Sequence, residues 1–218
     1  MKKIVFLILM ACIAVLTGYS QTGVIREFTG DVGLKTQGAT DFIPAEAGAL
    51  VAQDTIISTG FKSTAIIAVG SATITVRPLT RLSLAEIQSS QSIEALNVNL
   101  QAGRVRVDVK PPAGTKANAV VQTPSATASS RGTEFEVDRR SVSTFQGKVV
   151  VQGANGLAQI VSAGFRTEAT ADGGLLNPAD LAEETLTPLP PEGFGLAGEQ
   201  MRTSTPTTGN IAVNINLN

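Results

Sequence analysis

The 218-residue sequence contains no histidine, no tryptophan and one cysteine. Without histidine there is no Ser-His-Asp triad, no Cys-His dyad, no histidine-ligated haem and no imidazole-based zinc site. The single thiol, Cys12, lies in an N-terminal apolar run. Once that run is removed, no disulfide, thiolate metal site or redox centre is left. Aromatic residues make up only 4% of the chain, and beyond residue 20 they are seven Phe with no Tyr. Glycan binding by ring stacking is therefore disfavoured. Charged residues are also sparse, at 16%, with 17 basic against 18 acidic. That balance, with no basic cluster, excludes an electrostatic footprint for nucleic acid. No phosphate loop, calcium loop or helical Ser-x-x-Lys motif is present.

What is present begins with an address. Met1-Lys2-Lys3 precedes thirteen residues, Ile4 to Leu16, without a charge or a strong polar group. Gly18 and Ser20 then place small residues where a signal peptidase needs them. This reads as a signal peptide over residues 1–20, cleaved after Ser20, which sends the protein to the periplasm or outside the cell. A membrane span needs about 20 apolar residues, so thirteen is short. Leu9-Met10-Ala11-Cys12 resembles a lipoprotein box. Cleavage there would leave only eight apolar residues before the cut, so acylated Cys12 is the lesser reading.

Beyond the leader, period-two alternation dominates. Ala72, Ile74 and Val76 alternate with Thr73, Thr75 and Arg77; Val105, Val107 and Val109 alternate with Arg104, Arg106 and Asp108. Leu96, Val98 and Leu100, and then Phe135 and Val137, repeat the pattern. Each segment has one apolar and one wet face, which predicts antiparallel sheets around a shared core. Turn residues every 8–12 positions or so point to an all-β sandwich or roll of short strands. The run from Ser63 to Val69 is apolar on both faces and reads as a central strand. Gly30-Asp31-Val32, Gly103-Arg104-Val105 and Gly147-Lys148-Val149 repeat one device, expected to build hairpins. The body is assigned to residues 21–171. An acidic, Pro/Gly/Thr-rich tail follows over 172–218, with a short helix starting at Asn177-Pro178 and a possible last strand through Ile211, Val213, Ile215 and Leu217. Charge divides along the chain: residues 21–166 carry fourteen basic and eleven acidic groups, whereas 167–218 carry Arg202 against seven acids.

Carboxylates are the only candidate acids and bases. Glu134, Glu136 and Asp138 share one strand face about 6–7 Å apart. With Arg139 and Arg140 following, they read as a solvated face and not as a metal or acid–base pair. Phe61, Phe135 and Phe145 are assigned to the core. In Ser130-Arg131-Gly132-Thr133-Glu134-Phe135, a Gly turn entering a strand explains most of the motif, and Arg131 is the one candidate partner contact. No catalytic, cofactor or metal residue is assigned.

The ordered series of pieces resembles the FecR domain family. Gly30-Asp31-Val32 is followed by Gln53-Asp54, Thr59-Gly60, Ser63-Thr64-Ala65 and Gly70-Ser71. Leu82 and Leu84, Gly103-Arg104-Val105, Thr123-Pro124, Arg131-Gly132-Thr133-Glu134-Phe135 and Gly147-Lys148-Val149 complete it, over roughly residues 24–152. Gln53 replaces the family's usual Gly, and Val69 an Asp. Sensor members carry an anti-sigma segment and a membrane helix ahead of this domain, and this sequence shows neither. The resemblance implies an all-β extracytoplasmic module. The expected function is a non-enzymatic binding or regulatory module of the bacterial envelope. It would meet a protein partner through sheet edges or loops, without nucleic acid or cofactor. The alternative is a structural component of the envelope or extracellular matrix.

Overall fold

The computed structural model describes residues 22–89 and 93–181. The chain opens with β1 (Gly23–Thr29), β2 (Val32–Lys35), β3 (Ile43–Pro44), β4 (Leu50–Val51) and β5 (Ile56–Thr59). Its middle holds β6 (Thr64–Val69), β7 (Ala72–Val76), β8 (Arg81–Ser89), β9 (Ile93–Ala102) and β10 (Arg104–Val109). It continues with β11 (Lys116–Gln122), β12 (Ala126–Ser130), β13 (Glu134–Asp138) and β14 (Ser141–Gln146). β15 (Lys148–Gly153), β16 (Ala158–Ser162) and β17 (Arg166–Glu168) complete the strands.

These strands form two sheets, as the alternation predicts. The first runs β17-β14-β13-β10-β7-β6-β1-β4, and the second β16-β15-β12-β11-β9-β8-β5-β2-β3. Sequence order therefore advances along both sheets from one edge to the other, with small exchanges at the β1–β5 edge. The inward faces meet in one core. Ile25, Ile67, Ile74, Val105, Val107 and Phe135 come from the first sheet and are fully buried. Leu82, Leu84, Val98, Leu100, Val121 and Val149 face them from the second. Each such aliphatic side chain contributes about 1.5–3 kcal/mol by leaving water. The Ser63–Val69 run is central as expected, since β6 lies between β1 and β7.

One pair departs from the expected antiparallel pattern: β9 and β11 are parallel. The cause is β10. It crosses to the first sheet alone, between neighbours β7 and β13, and the chain returns to the second sheet at the opposite end. The β1→β2, β5→β6, β7→β8 and β9→β10 crossings share one end of the sandwich. The β10→β11, β12→β13, β14→β15 and β16→β17 crossings share the other.

The repeated Gly-charge-Val device builds these crossings and not hairpins, which corrects the sequence expectation. Gly30, Gly103 and Gly147 lie at β1→β2, β9→β10 and β14→β15, with φ of +77°, +85° and +79°. Each rests against a hydroxyl residue of the adjacent crossing: Ser63, Thr80 and Thr133 respectively. In the first two cases the next residue donates its backbone N–H to that hydroxyl, Asp31 to Ser63 at 2.8 Å and Arg104 to Thr80 at 2.9 Å. A Cβ at Gly103 would meet the Leu79 carbonyl oxygen at 2.6 Å, so only glycine fits.

Phe135 is core, at 0% exposure, but Phe61 and Phe145 are not. Phe61 is 73% exposed because it tips the β5→β6 crossing, where no opposing layer lies among the described residues. Phe145 follows the irregular β13–β14 pairing and turns outward under the Arg106 guanidinium, 4.1 Å from its ring centre. After β17 the chain folds back along that strand. Ala169 bridges Leu175, and Leu176 donates to the Glu168 carbonyl at 2.9 Å. Asn177 caps a helical turn over residues 178–181, as predicted, its side-chain oxygen accepting the Ala179 N–H at 3.2 Å. The leader, the rest of the tail and the proposed strand at 211–217 lie outside the described residues.

Candidate functional site

Register decides what the outward face of the first sheet presents. On β10, Arg104 stands opposite Asp138 of β13, and Arg106 opposite Glu136. On β14, Ser141 and Ser143 stand between β13 and β17, with Ser143 beside both Glu136 and Arg166. Long charged side chains thus flank two small serines, and the face is concave there. The hollow measures about 530 Å³ and is lined by Gly103, Ser141, Ser143 and charged groups of β10, β13 and β17. A second hollow of about 440 Å³ shares Gly103, Arg104 and Asp138 and ends at Arg77, Pro78 and Leu79. Together they form a trough across the sheet at the end where the early crossings gather.

The three carboxylates singled out in the sequence are not simply solvated; each is tied to arginine. Glu136 accepts Arg77 at 3.3 Å and lies 3.6 Å from Arg104. Arg104 also reaches Asp138 at 3.6 Å, and Arg106 holds Glu134 at 2.7 Å. The acids lie deeper than their partners: Glu136 is 16% exposed, against 41% for Arg77 and 54% for Arg104. Burial pushes the Asp138 carboxyl up, but its hydrogen bonds and Arg104 outweigh that and hold it below the ordinary carboxylate range. Those bonds are the Arg140 and Ser141 N–H groups at 2.9 and 2.7 Å and the Ser141 hydroxyl at 2.8 Å.

The charged groups with spare donors are the guanidiniums. Arg140 donates to the Ala169 carbonyl, and neither it nor exposed Arg139 has a carboxylate partner among the described residues. The sequence placed Arg104 outward but did not bring Arg77, Arg104 and Arg166 to one trough, because strand neighbours are not written in the alternation. Among the described residues no group of acidic side chains is arranged to hold a metal ion.

Arg131 is exposed in the β12→β13 crossing, at the opposite end of β13 from the trough, with no ion-pair partner among the described residues. The rest of its motif is structural: Gly132 has φ of +69°, Thr133 packs its methyl at Gly147, and Phe135 fills the core. A third feature lies at the edge of the second sheet. β16 ends that sheet, with Leu157 69%, Ile160 61% and Val150 45% exposed. Ile160 and Val150 are register partners and form a continuous outward apolar pair.

Residues 55–150 match the FecR protein family. The match spans β5 to the middle of β15 and takes in the Thr-Gly step, two of the three Gly-charge-Val crossings and the Arg131–Phe135 motif. It begins after Gly30-Asp31-Val32 and Gln53-Asp54, which the sequence reading had included. Two crystal structures of a candidate anti-sigma factor from Parabacteroides distasonis, at 1.65 and 2.50 Å resolution, are similar to part of the chain. Each is 18% identical, with a TM-score of 0.45, covering 56% of this chain and 57% of that one. A likeness so partial carries no argument about what this FecR-like chain does. No curated protein matches it.

Proposed function

We propose that this protein is an exported, non-enzymatic regulatory module of the bacterial envelope that meets a protein partner along a sheet edge. The FecR match supports a regulatory role, and the uncovered β16 edge carries the mode of contact. The outer edge of the first sheet is occupied by the return from Ala169 to Leu176, whereas β16 has no strand on its outer side among the described residues. An edge strand with unused backbone groups and exposed Ile160 and Leu157 suits strand addition by another chain. Export rests on the basic start, the apolar run and the Ser20 cleavage position. The body spans residues 21–171 and the acidic tail 172–218.

Crosslinking in the cell from a photoreactive residue at position 157, exposed beside β16, followed by mass spectrometry, tests the reading. A single dominant envelope protein is expected, with the crosslink lost in Ile160→Lys while the melting temperature stays unchanged. Recovery of self-links or cell-wall material alone would instead favour a scaffold. N-terminal sequencing of the mature protein should begin at Gln21. An acylated Cys12 would place the same module on a lipid anchor.

A further inference from the structure

We infer that the arginine trough on the first sheet is a second binding surface, and that its occupant is an acidic, extended segment of a partner protein ending in an apolar residue. Three observations carry this. The first is charge. Arg77, Arg104, Arg139, Arg140 and Arg166 border the two hollows against Glu136, Asp138 and Glu168, and the acids are the more buried members. Asp138 spends its oxygens on Arg140, Ser141 and Arg104, so the charged donors left facing the trough are guanidinium N–H groups. A fork of guanidinium donors is matched by carboxylate.

The second observation is length. The trough crosses β17, β14, β13, β10 and β7, neighbours in that order. Four gaps of about 4.8 Å give about 19 Å, the span of about six extended residues. A single small anion would fill a fraction of it. The third is the far rim. Pro78 and Leu79 close the trough, Leu79 is 62% exposed, and its backbone is held at φ +55°, a left-handed conformation that costs a leucine strain. Exposed Phe61 lies in the adjoining crossing, where the Gly60 carbonyl accepts the Leu79 N–H at 3.1 Å. An apolar side chain at the end of an acidic run would rest there.

The full chain should be titrated into a fluorescent peptide of about six residues alternating Glu with Ser and ending in Leu, spanning the trough at the strand rise. Saturable binding is expected, weakened about tenfold by raising the salt from low to physiological strength. Arg139→Glu should weaken it about tenfold, since that residue is exposed and its exchange spares the fold. Arg131→Glu, at the opposite end of β13, should leave it unchanged. Equal binding of the Lys-for-Glu peptide overturns the proposal, as does equal weakening by Arg131→Glu. Competition by succinate at equal carboxylate concentration reduces the trough to a simple anion site and overturns it too. So does a full chain that refuses the peptide at every salt concentration. Loss at β16 leaves this surface untouched, so the two readings fail separately.

Discussion

At the scale of single residues, the crossings are where sequence and structure meet most tightly. A glycine with positive φ is required at several turns, but the reason differs from place to place. Gly103 sits against Thr80 and the Leu79 carbonyl, whereas Gly114, at φ +86°, has nothing within 4 Å of where a Cβ would stand. Gly114→Ala should cost only the left-handed backbone term, about 1 kcal/mol. Gly103→Ala adds a backbone collision and should cost more than about 3 kcal/mol in chemical denaturation. Equal costs would mean the crossing is looser than its geometry indicates. Asp138 supplies a pH signature by the same reasoning. Its carboxyl is held below its ordinary value when folded, so its contribution is present above the ordinary carboxylate range and lost as pH falls through the folded value. Asp138→Asn should therefore melt below wild type at neutral pH. The difference should shrink on acidification below the ordinary range, and a gap constant with pH would sink this account.

At the scale of elements, strand existence and facing were legible because alternation with period two is itself the cause of the half-buried face. Val105, Val107 and Phe135 point inward for the reason that Arg104, Arg106 and Glu136 point outward. Strand partnership was not legible. Nothing in the residues of β10 states that it stands alone between two hairpins, and so the parallel β9–β11 pair and the arginine trough were both out of reach. The Gly-charge-Val device misled for a related reason: positive φ followed by an inward Val serves a hairpin and a crossing equally well. Phe61 and Phe145 failed because hydrophobicity alone does not say whether a second layer lies opposite. That distinction is measurable. Phe135→Ala, in the core, should cost about 3–5 kcal/mol, whereas Phe61→Ser should fall within about 0.5 kcal/mol of wild type. A large loss for Phe61→Ser would mean that the crossing tip is covered in solution.

At the scale of the whole molecule, stability should be graded along the stack. Each strand pairs with neighbours close in sequence, and among the described residues no pairing closes the two ends of either sheet on each other. Unfolding that starts at an edge therefore leaves the interior paired, much as in a quasi-one-dimensional array. β10 is the exception that binds the two halves. It pairs with β7 on one side and β13 on the other, and its reversal of the crossing end locks the hairpins before it against those after it. Its inward Val105 and Val107 are fully buried. Native-state hydrogen exchange should therefore show the slowest amides in β7, β10 and β13, with β9 and β11 opposite. Protection should fall toward two-residue β3 and β4 at one edge and toward β16 and β17 at the other. The β16 amides should gain protection when a strand-adding partner binds, and the β10 amides should not change. Uniform protection out to β3 and β16 would show a single cooperative unit with closed edges, and would remove the physical basis for strand addition at β16.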